Sequence, residues 1–185
     1  MRLRLRLLSA LTVVVTITLA TSAVAQPREP KAGSVAVGAD AGFIVADEDF
    51  HVGFTPAAFA EFYFTSRISG RALGGWSQNE FVGRDGRYLE QLRAAFNVAY
   101  NWEYELWHPF VIGGVSVHRV RTWVDDLEEG EWFSQPGFNA GLGVEYFARP
   151  KVSLKLEGTY YWVRQHDLPA ESTGFVLSAG LKKYF

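Results

Sequence analysis

The stretch GFVLSAGLKKYF, at residues 174–185, alternates along its length between apolar side chains and polar or small ones. Successive side chains of a β-strand point to opposite faces, so one face carries Phe175, Leu177, Ala179, Leu181 and Phe185. The other face carries Gly174, Val176, Ser178, Gly180, Lys182 and Tyr184. A tilted strand needs roughly 9 to 11 residues to cross the hydrocarbon core of a bilayer. The stretch therefore predicts a strand that is long enough to span a membrane.

Seven earlier segments show the same alternation. They predict strands at residues 34–46, 58–65, 68–78, 88–100, 109–122, 137–148 and 152–162. The phase of the fifth is ambiguous because Gly113 and Gly114 interrupt its pattern, with a β-bulge as one explanation. We prefer the phase in which Ser116 and His118 point inward and the outward residues are Val111, Val115 and Val117.

The connections between these segments alternate between longer polar ones and shorter ones, although residues 101–108 make a rather long short-side connection. No helical crossover is visible, so neighbouring strands are predicted to be antiparallel and to pair in chain order. Such an even number of strands, with short periplasmic turns and longer outer loops, is typical of membrane barrels. The predicted fold is all-β: an eight-stranded antiparallel up-and-down transmembrane barrel.

The first residues have the features of a cleavable secretory signal peptide. Arg2, Arg4 and Arg6 form a basic segment, an apolar run follows, and small residues before Gln26 make a cleavage site after Ala25. The alternative, an uncleaved anchor helix, is disfavoured by that small-residue site. We assign residues 1–25 to the signal peptide, 26–33 to a flexible N-terminal lead and 34–185 to the barrel.

Composition excludes several classes of function. Without the signal peptide the chain has 15 basic and 20 acidic residues, a net charge of about −5, and it has no basic cluster of the kind that binds nucleic acid. It contains no Cys, so disulfide and thiol chemistry are excluded. Aromatic residues make up 15% of the chain and accompany 18 glycines, which suits β-structure with tight turns. We expect no cofactor and no bound metal.

The polar faces of the predicted strands decide which side of the barrel is inside. They carry four acids and four bases, namely Asp40, Glu61, Arg71, Arg93, Glu145, Lys155, Glu157 and Lys182. Glycine and serine lie between these charges, as a crowded interior requires, since eight strands leave a lumen that side chains just fill. The opposite faces are apolar and end in aromatic residues, which is typical of lipid contact. A soluble barrel of the lipocalin type would place its apolar residues inside, so the pattern favours the membrane.

Three stretches carry a resemblance to a known group of proteins: GFNAGLGVEY at 137–146, HPFVIGG at 108–114 and the closing strand that ends in Phe185. The chain resembles the small OmpA/OmpX-like outer-membrane barrels. The resemblance implies an outer-membrane location, contact with outer-membrane lipid and lipopolysaccharide, and an assembly signal at Phe185 that the barrel-insertion machinery reads. Lys183 departs from the pattern, because the group usually has an apolar or aromatic residue there; its amine can snorkel to the headgroups.

The eight lumenal charges have two interpretations. One is an ion path lined by charges; the other is a filled plug, in which each buried ion needs a partner because an unpaired one costs several kcal/mol. Equal numbers of acids and bases favour the plug. Tyr63, Tyr161 and Tyr184 would fill the remaining volume and donate hydrogen bonds.

Three further sets of residues are relevant to possible chemistry. Ser116 and His118 would be neighbours on one face, and lipid A deacylases of this barrel size resemble one another in a His-x-Ser pair, here in reverse order. The acids of the fifth-to-sixth connection lack the ligand spacing of a calcium loop, and we interpret them as solvated: Asp125, Asp126, Glu128, Glu129 and Glu131. The other histidines lie in predicted connections, where we expect solvent contact: His51, His108 and His166.

Together these features predict a non-enzymatic outer-membrane barrel with a structural or surface-interaction role, adhesin-like or envelope-stabilising. The ligand of its loops is not indicated by the sequence. The alternatives are a narrow pore and a lipid A-modifying enzyme.

Overall fold

A computed structural model describes residues 30–46, 51–81, 87–124, 131–163 and 173–185 of the chain. Eight antiparallel strands form a closed barrel, in which each strand pairs with the next and the last pairs with the first. The strands are β1 (Val35–Ala46), β2 (Gly53–Tyr63), β3 (Ile68–Glu80), β4 (Arg87–Asn101), β5 (Trp107–Val124), β6 (Phe133–Arg149), β7 (Val152–Val163) and β8 (Gly174–Tyr184). The predicted eight-stranded up-and-down topology is confirmed.

Several strands extend beyond the bounds that the sequence predicts. β2 begins at Gly53, β5 at Trp107 and β6 at Phe133, all within stretches that read as polar connections. The backbone ladder continues there, since Phe54 pairs with Phe43 and Phe133 with Val120. The sequence pattern identifies only the part of a strand in which apolar and polar residues alternate clearly. The backbone hydrogen bonds continue beyond that part, so the strands are longer than predicted.

The fifth strand has the predicted phase. Val111, Val115 and Val117 are exposed on the outer surface, whereas Ser116 and His118 point inward and are only 4% and 1% exposed. The suggestion of a bulge at Gly113 and Gly114 is wrong, because both residues pair in unbroken register with β4 and β6. The irregularity in the barrel lies instead at 147–149 in β6, next to the shortest turn.

The outer surface is apolar and the interior is polar. Leu142 is 68% exposed and Leu181 57%, while all eight predicted inward charges are buried. Exposing such an apolar surface to water would be strongly unfavourable, whereas lipid is a suitable medium for it. The backbone also suits lipid, because a closed barrel leaves no strand edge unpaired. The chain is therefore a transmembrane barrel. No helix among the described residues is long and apolar enough to cross a membrane.

The two ends of the barrel differ in their connections. At the short-turn end the strands are joined by residues 64–67, 102–106 and 150–151, and at the long-loop end by 47–52, 81–86, 125–132 and 164–173. Exposed aromatic residues surround both rims, with Phe43 and Trp162 toward the long loops, and Phe64 and Phe185 toward the short turns. This arrangement places the aromatic side chains where a barrel meets the headgroup region.

The residues just before β1 contact the short-turn end of the barrel. The Gly33 amide donates a hydrogen bond to the Tyr63 carbonyl at 2.8 Å, and the Phe185 amide donates to the Val35 carbonyl at 2.9 Å. The predicted signal peptide at 1–25, with its cleavage site at Ala25 and Gln26, and most of the lead at 26–33 lie outside the described residues.

Candidate functional site

Arg71 lies at the centre of an ion-paired network inside the barrel. It sits on β3, where the strand alternation directs it inward, and its side chain is fully buried. Its Nε lies 3.1 Å from Glu61 Oε2 on β2, and its Nη1 lies 2.5 Å from Glu157 Oε2 on β7. The guanidinium carbon is 4.9 Å from the centroid of the Phe59 ring and 5.3 Å from that of Phe110. Arg71 thus connects opposite walls of the barrel.

Lys182 extends the network toward the short-turn end. Its Nζ lies 2.7 Å from Glu61 Oε2, donates to the Tyr63 hydroxyl at 2.8 Å and also donates to Glu145. The Tyr184 hydroxyl donates to Glu145 Oε2 at 2.6 Å. Every charge in this layer has an opposite charge beside it, which is the condition under which buried ions are tolerated.

Lys155 extends the network toward the middle of the barrel. Its Nζ lies 2.7 Å from Asp40 Oδ2 and 3.0 Å from Glu157 Oε2, and it sits 4.4 Å from the centroid of the Phe59 ring. Thr159 donates a hydrogen bond to Glu157 at 3.0 Å. The connected network therefore holds four acids and three bases, from strands β1, β2, β3, β6, β7 and β8.

Arg93 is the one predicted lumenal charge that stays outside this network. Its guanidinium stacks on Tyr161, with the Arg93 Cζ 4.4 Å from the ring centroid, and it makes no ion pair with any described residue. Arg93, Asp40 and Thr55 border a cavity of about 10 Å³, which is about the volume of one water-sized sphere. The space beside Arg93 could therefore hold about one water molecule.

Ser116 and His118 come together as a hydrogen-bonded pair. Ser116 Oγ lies 2.9 Å from His118 Nε2, and His118 Nδ1 lies 2.7 Å from the amide nitrogen of Gln91. If the Gln91 amide N–H donates to Nδ1, the ring proton lies on Nε2 and faces the serine. A general base needs the opposite tautomer. Both side chains also face the buried lumen rather than the lipid.

The three remaining histidines have different positions. His51 is exposed and His166 lies outside the described residues. The expectation that His108 is solvated is wrong: it belongs to β5, is buried, and its ring centroid lies 4.7 Å from that of Phe147. Its Nε2 lies 3.3 Å from the Glu105 carbonyl oxygen. His108 therefore packs between the end of the strand and the adjacent turn.

The other predicted features have less structural detail. Of the acids in the loop between β5 and β6, only Glu131 is described, and it is exposed; Asp125, Asp126, Glu128 and Glu129 lie outside the described residues. Within the described part of the chain, no group of three or more His, Asp or Glu side chains could hold a metal ion. Phe185 is exposed just beyond β8, and the Lys183 ammonium lies 5.2 Å from the centroid of its ring.

Sequence reasoning missed the neutral partners of the lumenal groups. Ser69 donates to Glu61, Ser153 donates to Glu145 at 3.3 Å, and Gln91 holds His118. All three lie on the inward face of their strands, so the period-two pattern places them inside. What that pattern does not give is which residues of distant strands meet across the lumen.

Neither a protein-family model nor a curated protein matches the chain. Among solved structures it is similar to the outer membrane protein OprG from Pseudomonas aeruginosa, with a TM-score of 0.64 and 13% identity over 87% of this chain and 99% of that one. The N-terminal β-barrel domain of Pseudomonas aeruginosa OprF gives 0.63 and 11%, over 84% and 100%. Neisserial surface protein A gives 0.63 and 15%, over 82% and 96%. At such identities the likeness shows the fold alone, which is that of small outer-membrane barrels.

Proposed function

We propose that the protein is a non-enzymatic outer-membrane barrel whose role is structural or surface-interacting, with its lumen closed by a plug of paired charges. The observation that carries the proposal is the position of Arg71, which is fully buried and bonded to Glu61 on one wall and Glu157 on the other. Ion pairs of this kind crosslink the interior of the barrel. Such crosslinks favour a closed lumen over a water-filled, conducting one.

A closed scaffold suits a protein that acts through its surfaces. Its apolar exterior meets outer-membrane lipid and lipopolysaccharide, and its long loops are the segments available to an extracellular ligand. The closing strand β8, followed by Phe185, is the part that the insertion machinery would read. Loops carried on a rigid barrel are well placed for recognition, because a fixed base limits the ordering that binding requires.

The plug predicts that the purified barrel conducts no steady ion current in planar bilayers. Its charged side chains are paired across the lumen at 2.5–3.1 Å around Arg71 and Lys155, which leaves little room for hydrated ions. The double variant Arg71→Ala/Glu61→Ala removes one buried ion pair of zero net charge and should conduct measurably more than the wild type. A stable open current from the wild-type protein would show that the narrow-pore alternative is correct.

The enzyme alternative rests on the 2.9 Å contact between Ser116 and His118. Because both side chains are enclosed in the lumen, away from the lipid, Ser116→Ala should leave the lipid A of expressing cells unchanged. Lipid A mass spectra from cells that express the wild type, Ser116→Ala or neither protein provide the test. A lipid A species that depends on the wild type and disappears with Ser116→Ala would establish catalysis.

A further inference from the structure

One rung of the barrel wall leads from Arg93 to Asp40. Arg93 on β4 pairs with Gly75 on β3. Gly75 pairs with Ala57 on β2, which in turn pairs with Asp40 on β1. The four positions therefore face the lumen along one line across the wall. Adjacent strands lie about 4.8 Å apart, so the backbones of Arg93 and Asp40 are separated by roughly 14 Å along that line.

The two residues between them are a glycine and an alanine, and the Arg93 side chain extends over the glycine. A Cβ added to Gly75 would lie 3.2 Å from Arg93 Nη2 and 3.3 Å from the Ala57 Cβ. The guanidinium group therefore crosses β3 in the direction of Asp40. A long side chain at one end of the rung and a short one at the other approach each other above two small residues, which leaves a space between them.

A cavity of about 10 Å³ occupies this space, and its lining includes Arg93, Asp40, Ala57 and Thr55. Among the described residues, three polar atoms of this lining have no hydrogen-bond partner: Arg93 Nε, Asp40 Oδ1 and Thr55 Oγ1. The three side chains are more than nine-tenths buried, with exposed fractions of 6%, 7% and 2%. Buried polar groups are almost always hydrogen-bonded, because leaving them unsatisfied is costly. Three such atoms around one cavity point to a shared partner inside it.

The chemistry of the three atoms matches a single water molecule. Arg93 Nε offers one donor, a carboxylate oxygen only accepts, and the Thr55 hydroxyl can do either. A water that accepts from Arg93 Nε and donates to Asp40 Oδ1 and Thr55 Oγ1 makes three hydrogen bonds, the usual number for a buried water. A cation would lie beside the guanidinium group, and an anion would lie beside Asp40 and Glu157, which also lines the cavity.

We propose that this cavity is a binding site for one ordered water, which bridges Arg93 to Asp40 and Thr55. Lys155 Nζ donates to Asp40 Oδ2 at 2.7 Å, so the water connects Arg93 to the ion-paired network. All eight lumenal charges then belong to one hydrogen-bonded system. The inference rests on the closed lumen of the proposed function, because an enclosed water is held in place instead of exchanging freely with the bulk.

Nuclear magnetic resonance of the folded barrel in detergent micelles, labelled with ¹⁵N-arginine, tests the site. The Arg93 Nε–H should show a through-space cross-peak to water, and Arg93→Lys assigns that signal by removing it. Rotating-frame spectra separate this contact from proton exchange, because the two give opposite signs. The Arg71 Nε–H is the matched control: it is fully buried and donates to Glu61 at 3.1 Å, so it should show no such cross-peak.

A pair of alanine variants tests whether the cavity holds the water. Ala57→Val places additional methyl groups in the cavity and should abolish the Arg93 cross-peak. Ala58→Val makes the same change at the next residue, which is exposed on the outer face of β2, and should leave the cross-peak as it is in the wild type. The heat-modifiable gel shift verifies that each variant is folded.

A crystal structure that shows ordered waters provides an independent measurement on the wild type. One water within hydrogen-bond distance of the three atoms is the expected result. An empty cavity, an ion in it, or direct contact between Arg93 and Asp40 would overturn the inference, as would equal water contacts at Arg93 and Arg71. None of these outcomes decides whether the lumen is closed, since that proposal is tested by the current in planar bilayers.

Discussion

Lys182→Met should lower the free energy of unfolding of the barrel by about 3–5 kcal/mol, the usual cost of leaving a buried charge without its partner. Lys182 is fully buried between Glu61 and Glu145. Glu61 keeps Arg71 after the substitution, whereas Glu145 keeps only its neutral partners, Tyr184 and Ser153. Urea titration of the barrel in lipid vesicles, followed by tryptophan fluorescence, measures the change.

The neighbouring residue supplies the control. Lys183 is exposed on the outer face, so Lys183→Met should change the free energy of unfolding by no more than about 0.5 kcal/mol. Adding Glu145→Gln to Lys182→Met removes the unpaired carboxylate, and most of the lost stability should return. If Lys182→Met is as stable as Lys183→Met, or if the added Glu145→Gln recovers nothing, the ion pairs do not hold the plug together.

The barrel could be predicted from the sequence because apolar residues that face the lipid alternate with polar or charged residues that face the lumen. This alternation has a period of two residues. Inside a soluble protein, Lys155 and Glu157 would be rare residues, yet here they alternate with the lipid-facing Leu154 and Leu156. The alternation identifies the inward face of every strand, including β5, where Ser116 and His118 point inward. Strand identity, order and phase are thus local properties of the chain.

The contacts within the lumen could not be predicted in the same way. Arg71 and Glu157 are 86 residues apart, and whether they meet depends on the stagger between strands on opposite walls. An equal count of acids and bases suggested eight paired charges, but the structure leaves Arg93 stacked on Tyr161 instead. His108 was misplaced for a related reason, because Trp107 and His108 continue the ladder of β5 beyond its clearly alternating part.

The glycines of the lumen have a steric role that the sequence only suggested. An eight-stranded barrel curves so tightly that inward side chains compete for space with the neighbouring backbone. At Gly114 an added Cβ would overlap the carbonyl oxygen of Phe96 and lie 2.7 Å from the Asn97 Cα. Gly74 points outward, into open space on the same barrel. The two positions therefore separate crowding from the general effect of glycine in a strand.

Gly114→Ala should lower the free energy of unfolding by about 1–3 kcal/mol or more, because β4 and β5 must move apart to admit the methyl group. Gly74→Ala should be neutral, or stabilising by up to about 1 kcal/mol, since alanine loses less backbone entropy on folding. Both values come from urea titrations in vesicles of one lipid composition. If alanine acts only through backbone entropy, both variants should change the free energy of unfolding equally. That result would show that β4 and β5 do not need glycine at position 114 in order to approach each other. A loss confined to Gly114→Ala means that the close packing of the wall limits what can fill the lumen.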